Sequence, residues 1–193
     1  MTYPNIVENL FEGLSFFCAK GHEERQRKTK YNFGFSISPN RIKFQNKKIC
    51  KKMIRKYKET DLETVVDIWY QSSTVAHPFL DPDFVEKVKK DMHDIYIPNS
   101  DTWVYEVDGQ IIGFIGMIGN EIGGLFVLPN QHSKGTGTKL VNFISEQHEE
   151  LEVEVFKKNK IGRAFYDKYG FKFMKEYFDE SSNSDVLRLK FIK

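Results

Sequence analysis

The stretch LFVLPNQHSKGTGTKL, residues 125–140, constrains this 193-residue chain more than any other. An apolar run with strand character stops at Pro129, a polar loop follows, and Gly135 and Gly137 stand where a helix bearing Leu140, Val141 and Ile144 opens. A helix start presents amides without intrahelical acceptors and so attracts anions. Glycine there lets the backbone come close to a phosphate, because no Cβ intervenes. The stretch therefore reads as a pyrophosphate cradle, with Lys134 and Lys139 as sources of added charge. A P-loop is excluded, since Gly137 is followed by Thr138, Lys139 and Leu140 instead of Lys and Ser/Thr. A dinucleotide fingerprint has acidic residues at a suitable distance, Glu152 and Glu154, but Leu140 stands where its third glycine belongs. Glycine pairs before helices are also ordinary punctuation, so the loop alone does not decide the matter.

The surrounding pattern supplies the fold class. Met53–Tyr57 suits a strand, and Thr60 or Asp61 caps a helix with Leu62, Val65, Val66, Ile68 and Trp69 on its apolar face. Residues 72–80, SSTVAHPFL, read as a loop because Pro78 disfavours helical geometry before it. Pro82 opens a second helix that runs to about His93. Strands follow at Thr102–Val107 and Gln110–Ile118, joined by the turn signal Asp108-Gly109, and then at Glu121–Leu128. Beyond the glycine loop and its helix come a strand at Leu151–Phe156, a helix at Lys160–Tyr169 stopped by Gly170, and strands at Phe171–Phe178 and Val186–Ile192. The order β α α β β β α β α β β implies an α/β layered sheet that is not a regular βαβ repeat.

Composition matters through its distribution. The chain carries 29 Lys+Arg and 27 Asp+Glu. Residues 1–52 hold 11 Lys+Arg against 4 Asp+Glu, a balance of +7, while residues 53–193 hold 18 against 23, a balance of −5. The first part contains both cysteines, the basic clusters Arg25–Lys30 and Lys47–Lys52, and one helical pattern at Asn5–Ala19, which cannot bury a core alone. Residues 1–52 are thus expected to be a disordered basic arm or an upstream stretch from a misplaced start codon. A compact domain is expected over 53–193. No apolar run approaches the roughly 18 residues a membrane span needs. Two cysteines do not make a disulfide framework, which favours a reducing, cytoplasmic setting. The negative balance of the domain points away from nucleic acid and towards a basic acceptor.

A second motif, NKIGRAFYDKYGF, lies at residues 159–171. Together, His132-Ser133-Lys134-Gly135-Thr136-Gly137 and the later Asn159, Phe165, Tyr166, Gly170 and Phe171 resemble the two signatures of the GCN5-related N-acetyltransferase (GNAT) family, in the same order. The resemblance covers the chain from Met53 to its end, with His132 replacing the usual Arg or Gln. The stretch IWYQSSTVAHPFL is similar to a bacterial subgroup thought to acetylate protein lysines.

The resemblance implies a mixed, largely antiparallel sheet flanked by helices, with central strands splayed to hold acetyl-CoA. It further implies transfer of an acetyl group to a primary amine by direct attack. Backbone groups of Phe126, Val127 and Leu128, the loop His132, Ser133, Lys134, Gly135, Thr136, Gly137 and Thr138, and the Asn159 side chain would bind the cosubstrate. Tyr166 would be the general acid, with a core tyrosine as the bland alternative. Glu121, eleven residues before His132, would be a general base, although a solvated strand-end glutamate fits its position equally well. His77 is a second base or substrate-positioning candidate, and Phe79 a wall of the acceptor pocket. Glu152 and Glu154 share one strand face that reads as solvated. Cys/His spacing suits no metal. The acceptor is expected to be a protein lysine or small amine, and the protein a monomer or homodimer. A non-catalytic acyl-CoA sensor and an acetyltransferase of aminoacyl-tRNA are the competing functions.

Overall fold

The computed structural model describes residues 51–193. The expected Asn5–Ala19 helix, the Arg25–Lys30 cluster, both cysteines and the question of the start codon lie outside the described residues.

The first strand, β1 (Lys52–Lys56), leads into a 3-10 turn at Glu59–Asp61 and then helix α1 (Leu62–Ala76). Asp61 occupies the N-cap position of α1, one of the two expected, but its side chain makes no hydrogen bond to the helix. Its carboxylate accepts the Lys58 amide at 2.9 Å and is gripped by Arg55 at 2.7 and 3.1 Å, so this buried charge is fully paired. The Arg55 hydrogen bonds hold the Asp61 carboxyl below its ordinary range. Helix α1 also overruns the expected loop, because Ser72–Ala76 are helical. The steric reach of Pro78 extends to the residue before it, and only His77 leaves helical geometry, at φ −126° and ψ 50°.

Helix α2 (Pro82–Asp91) starts as expected, with Asp81 accepting the amides of Asp83 and Phe84. It then continues through a π-helical turn, Met92–Tyr96, and a closing turn, Ile97–Asn99, beyond the expected end near His93. Between Asp83 and Ile97 neither glycine nor proline interrupts it. Strands β2 (Asp101–Val107), β3 (Gln110–Ile118) and β4 (Glu121–Val127) form a meander. The β2–β3 turn is the mirror-image type that suits strand twist, with Asp108 at φ 51° and Gly109 at φ 84°. A 3-10 turn and the glycine loop precede α3 (Thr136–Ser145), followed by β5 (Glu150–Phe156), α4 (Lys160–Tyr169), β6 (Lys172–Asp179) and β7 (Ser184–Ile192).

The sheet order is β1-β2-β3-β4-β5-β7-β6, with every neighbouring pair antiparallel except β4–β5. That parallel pair joins only Glu121 to Glu152 and Ile122 to Val153, and the two strands part beyond it. Each sheet face has its own core. On one face α1 packs Val65, Ile68 and Trp69 against Val104 and Phe114. On the other, α3 and α4 pack Leu140, Ile144 and Tyr166 against Ile115, Leu151 and Val153. Leu151, Val153 and Val155 alternate along β5 with Glu152, Glu154 and Phe156, which look towards the α1 face.

Candidate functional site

The glycine loop sits where β4 hands over to α3. Gly135 is the residue before the first helical turn, in left-handed geometry at φ 82°, and no side chain caps the helix. The first-turn amides are therefore available to an anion. A Cβ on Gly137 would lie 3.2 Å from a Phe165 ring carbon, so α4 packs directly under the loop. His132 is spent on loop shape: its Nε2 lies 2.8 Å from the Val127 carbonyl, which can only accept, so Nε2 carries the proton. Ser72 donates to the same carbonyl at 2.9 Å, and the Leu128 amide donates to Ile112. Two of the backbone groups expected at the cosubstrate, the Val127 carbonyl and the Leu128 amide, are thus already paired. Lys139 points to the Tyr105 hydroxyl at 3.2 Å, which leaves Lys134, beside Gln131, as the loop's own cation.

From this loop a cavity of about 1300 Å³ continues through the opening between β4 and β5 to the inner sides of α1 and α2. It brings Tyr166, Asn159, His77, Glu121 and Glu154 onto one wall system, together with the buried hydroxyl of Ser73, which has no hydrogen-bond partner among the described residues. Tyr166 is 6% exposed and lies between Phe165 and Phe171. Among the described residues no group hydrogen-bonds its hydroxyl, and burial pushes its pKa well above the ordinary tyrosine range.

Asn159 is buried at the N-terminus of α4, where its Oδ1 accepts the Gly162 amide at 2.8 Å. Its amide nitrogen then faces His77 Nε2 at 2.9 Å. An amide nitrogen can only donate, so His77 is neutral with its proton on Nδ1. Burial lowers the His77 pKa to about 4. The imidazole packs edge-on to Phe156 and Phe79, with ring centres 5.1 and 5.9 Å away.

The carboxylates are not a solvated face. Arg188 on β7 reaches Glu152 at 2.7 Å, Glu121 at 2.9 Å and Glu154 at 3.0 Å. Tyr177 donates to Glu154 at 2.6 Å, and Lys190 binds Glu150 at 2.7 Å. Four glutamates thus share two cations, a surplus of negative charge at the root of the β4–β5 opening. Burial outweighs the attraction of Arg188 at Glu121, whose pKa is raised. Arg188, Tyr177 and Ser72 escaped sequence reasoning. Their only signal is alternation on strands and a polar residue on an apolar helix face, neither of which names a partner. Among the described residues no group of three or more His, Cys, Asp or Glu is arranged to hold a metal, and no helix is long and apolar enough to cross a membrane.

This geometry has close counterparts among known proteins. Residues 98–173 match the Acetyltransferase (GNAT) domain. The chain is 31% identical over 120 residues to the peptidyl-lysine N-acetyltransferase YiaC of Escherichia coli, covering 62% of this chain and 82% of that one. The solution structure of apo YjaB from Escherichia coli superposes with a TM-score of 0.68 at 26% identity, over 73% of this chain and 97% of that one. The PaiA N-acetyltransferase of Thermoplasma acidophilum, solved with coenzyme A, has the same fold, with a TM-score of 0.60 at 22% identity over 73% and 99% of the two chains. With the uncapped glycine loop, the parted central strands and this degree of identity to YiaC, the chain belongs to the GNAT acetyltransferase family and is an acetyl-CoA-dependent N-acetyltransferase.

Proposed function

We propose that residues 53–193 form a catalytic domain that acetylates the side-chain amine of protein lysines. The observation that carries this reading is one continuous cavity running from the glycine loop, past Tyr166, to a carboxylate cluster with surplus negative charge. Acetyl-CoA, when bound, supplies the acetyl group as an activated thioester. The residues that fit it are the amides at the opening of α3, the part of the β4 edge that neither β5 nor Ser72 and His132 occupy, and Asn159. Glycine at 137 lets the loop pack closely on α4, because a Cβ there would stand 3.2 Å from Phe165.

A lysine is almost wholly charged at neutral pH. The carboxylate cluster favours entry of such a cation, and Glu121, its pKa raised by burial, is suited to take the ammonium proton, directly or through water. The neutral amine then attacks the thioester carbonyl, a C–N bond forms and the C–S bond breaks. Tyr166 keeps its proton to high pH and gives it to the departing sulfur, and the second proton shed by the attacking nitrogen as it becomes an amide restores the phenol. The peptidyl-lysine activity of YiaC and YjaB supports the choice of acceptor.

Lysine peptides and small amines should be incubated with acetyl-CoA and followed by mass increase. Transfer to peptidyl lysine, with kcat reduced about 100-fold in Tyr166→Phe, is the expected result. Unchanged kcat in that variant would remove Tyr166 as the acid. Tight acetyl-CoA binding without transfer to any amine would replace the enzyme with a sensor.

A further inference from the structure

Among the described residues, the backbone ladder joins the two halves of the sheet at the root of β4 and β5 alone. At the far end of the opening the link is made by side chains. Helix α1 lies on one face of the sheet and α4 on the other. His77, at the end of α1, meets Asn159, the residue that caps α4, across 82 positions of sequence. The contact is well constrained. Asn159 Oδ1 is held by the Gly162 amide, the imidazole is fixed between two phenylalanine rings, and a Cβ at Gly162 would lie 2.7 Å from Asn159 Nδ2. Glycine at 162 is therefore what allows the amide to turn towards His77. Both residues line the cavity, and Asn159 keeps a second amide hydrogen for a ligand.

We propose that His77 is a positioning residue that clasps Asn159 across the β4–β5 opening, so that the second amide hydrogen of Asn159 and the start of the Tyr166 helix are held in place for the cosubstrate. This role rests on the acetyl-transfer reading above. It differs from a base role because the Nε2 lone pair is already engaged by Asn159, and a neutral clasp needs no protonation change during turnover.

The test compares His77→Phe, which keeps a ring but has no acceptor, with His77→Gln, whose terminal amide oxygen reaches to about the position of Nε2. Acetyl-CoA affinity is read by calorimetry and turnover by steady-state kinetics across pH, with circular dichroism and melting to confirm folding. The expected result is a roughly tenfold rise in Kd and KM for acetyl-CoA in the Phe variant, an unchanged shape of the pH–rate profile, and recovery to within about threefold in the Gln variant. A folded Phe variant that binds acetyl-CoA as wild type does would overturn the clasp. So would loss of an ionisation from the pH profile in both variants, which would make His77 the base. Failure of the wild-type protein to bind acetyl-CoA would instead sink the functional reading and the clasp's role with it.

Discussion

Replacing Arg188 with methionine keeps much of the aliphatic stem and removes the one cation that Glu121, Glu152 and Glu154 share. The guanidinium is 17% exposed and the three carboxylates 23%, 16% and 10%. Hydrogen bonds to charged groups contribute about 1.5–3 kcal/mol each, but three bonds from one group do not add. Stranding a partner of a buried ion pair costs about 3–5 kcal/mol, and residual solvent access favours the lower end, about 3 kcal/mol. With a urea m-value near 2 kcal/mol/M, the unfolding midpoint at pH 7 should fall by about 1.5 M. The loss must also depend on pH in a defined sense. Without Arg188 the Glu121 carboxyl, already raised by burial, loses the attraction that opposes that rise, so the folded chain binds a proton that the unfolded chain, near pKa 4.3, does not. The variant should therefore regain stability as pH falls from 7 to 5, narrowing its gap from wild type. Urea titrations at the two pH values decide it. A midpoint shift below about 0.5 M, or a gap equal at both pH values, would refute the shared-counterion account.

Other perturbations separate packing from backbone strain. Gly162→Ala drives a Cβ to within 2.7 Å of Asn159 Nδ2 and 3.1 Å of Val155, and should cost about 1–3 kcal/mol of stability while raising KM for acetyl-CoA. Thermal melts and steady-state kinetics report both. Gly135→Ala meets no atom within 4 Å but must hold φ 82°, so about 1–2 kcal/mol is expected from strain alone, with the contacts of Phe165 unchanged in a crystal structure. For His77 the folded pKa lies below that of the unfolded chain. Its contribution to stability is present above pH 6.5 and is lost as pH falls towards about 4. A His77→Gln variant should lack that part of the acid sensitivity in denaturation measured at pH 7 and pH 4.5.

Local chemistry told most of the fold's outline. Asp108-Gly109 named its hairpin, Pro82 after Asp81 named a helix start, and the alternation of β5 distinguished its faces, because each of these signals acts within a few residues. The end of helix α1 is not legible from Pro78, because its steric effect reaches only His77 and leaves Ser72–Ala76 helical. The candidate site was legible as two motifs but not as a set of contacts. The ion cluster depends on β7 lying between β5 and β6, so that Arg188 stands opposite Glu154 and Lys190 opposite Glu152. Such a register is a property of topology and leaves no trace in the spacing of the glutamates. Lys139 stands beside the anion loop in sequence and His132 takes the place of the resemblance's Arg or Gln, and neither fact shows that a phenol and a carbonyl meet their side chains in space.

The parting of β4 from β5 also bears on how the sheet guards its open hydrogen-bonding edges. A sheet rim is a template on which another chain can add a strand, and proteins guard it with lysines and bulges. The outer strands here follow that rule, with Lys52 and Lys56 on β1 and with Lys172, Lys175 and an irregularity between Phe173 and Lys175 on β6. The parted strands create a second pair of rims at the middle of the sheet, bearing Gly123, Gly124, Leu125 and Val155 in place of lysines. Their protection lies in location: helices cover both faces, and His77 meets Asn159 across the far end. A reactive edge that would invite aggregation on the outside of a sheet is kept here as an interior surface, reserved for a ligand narrow enough to enter.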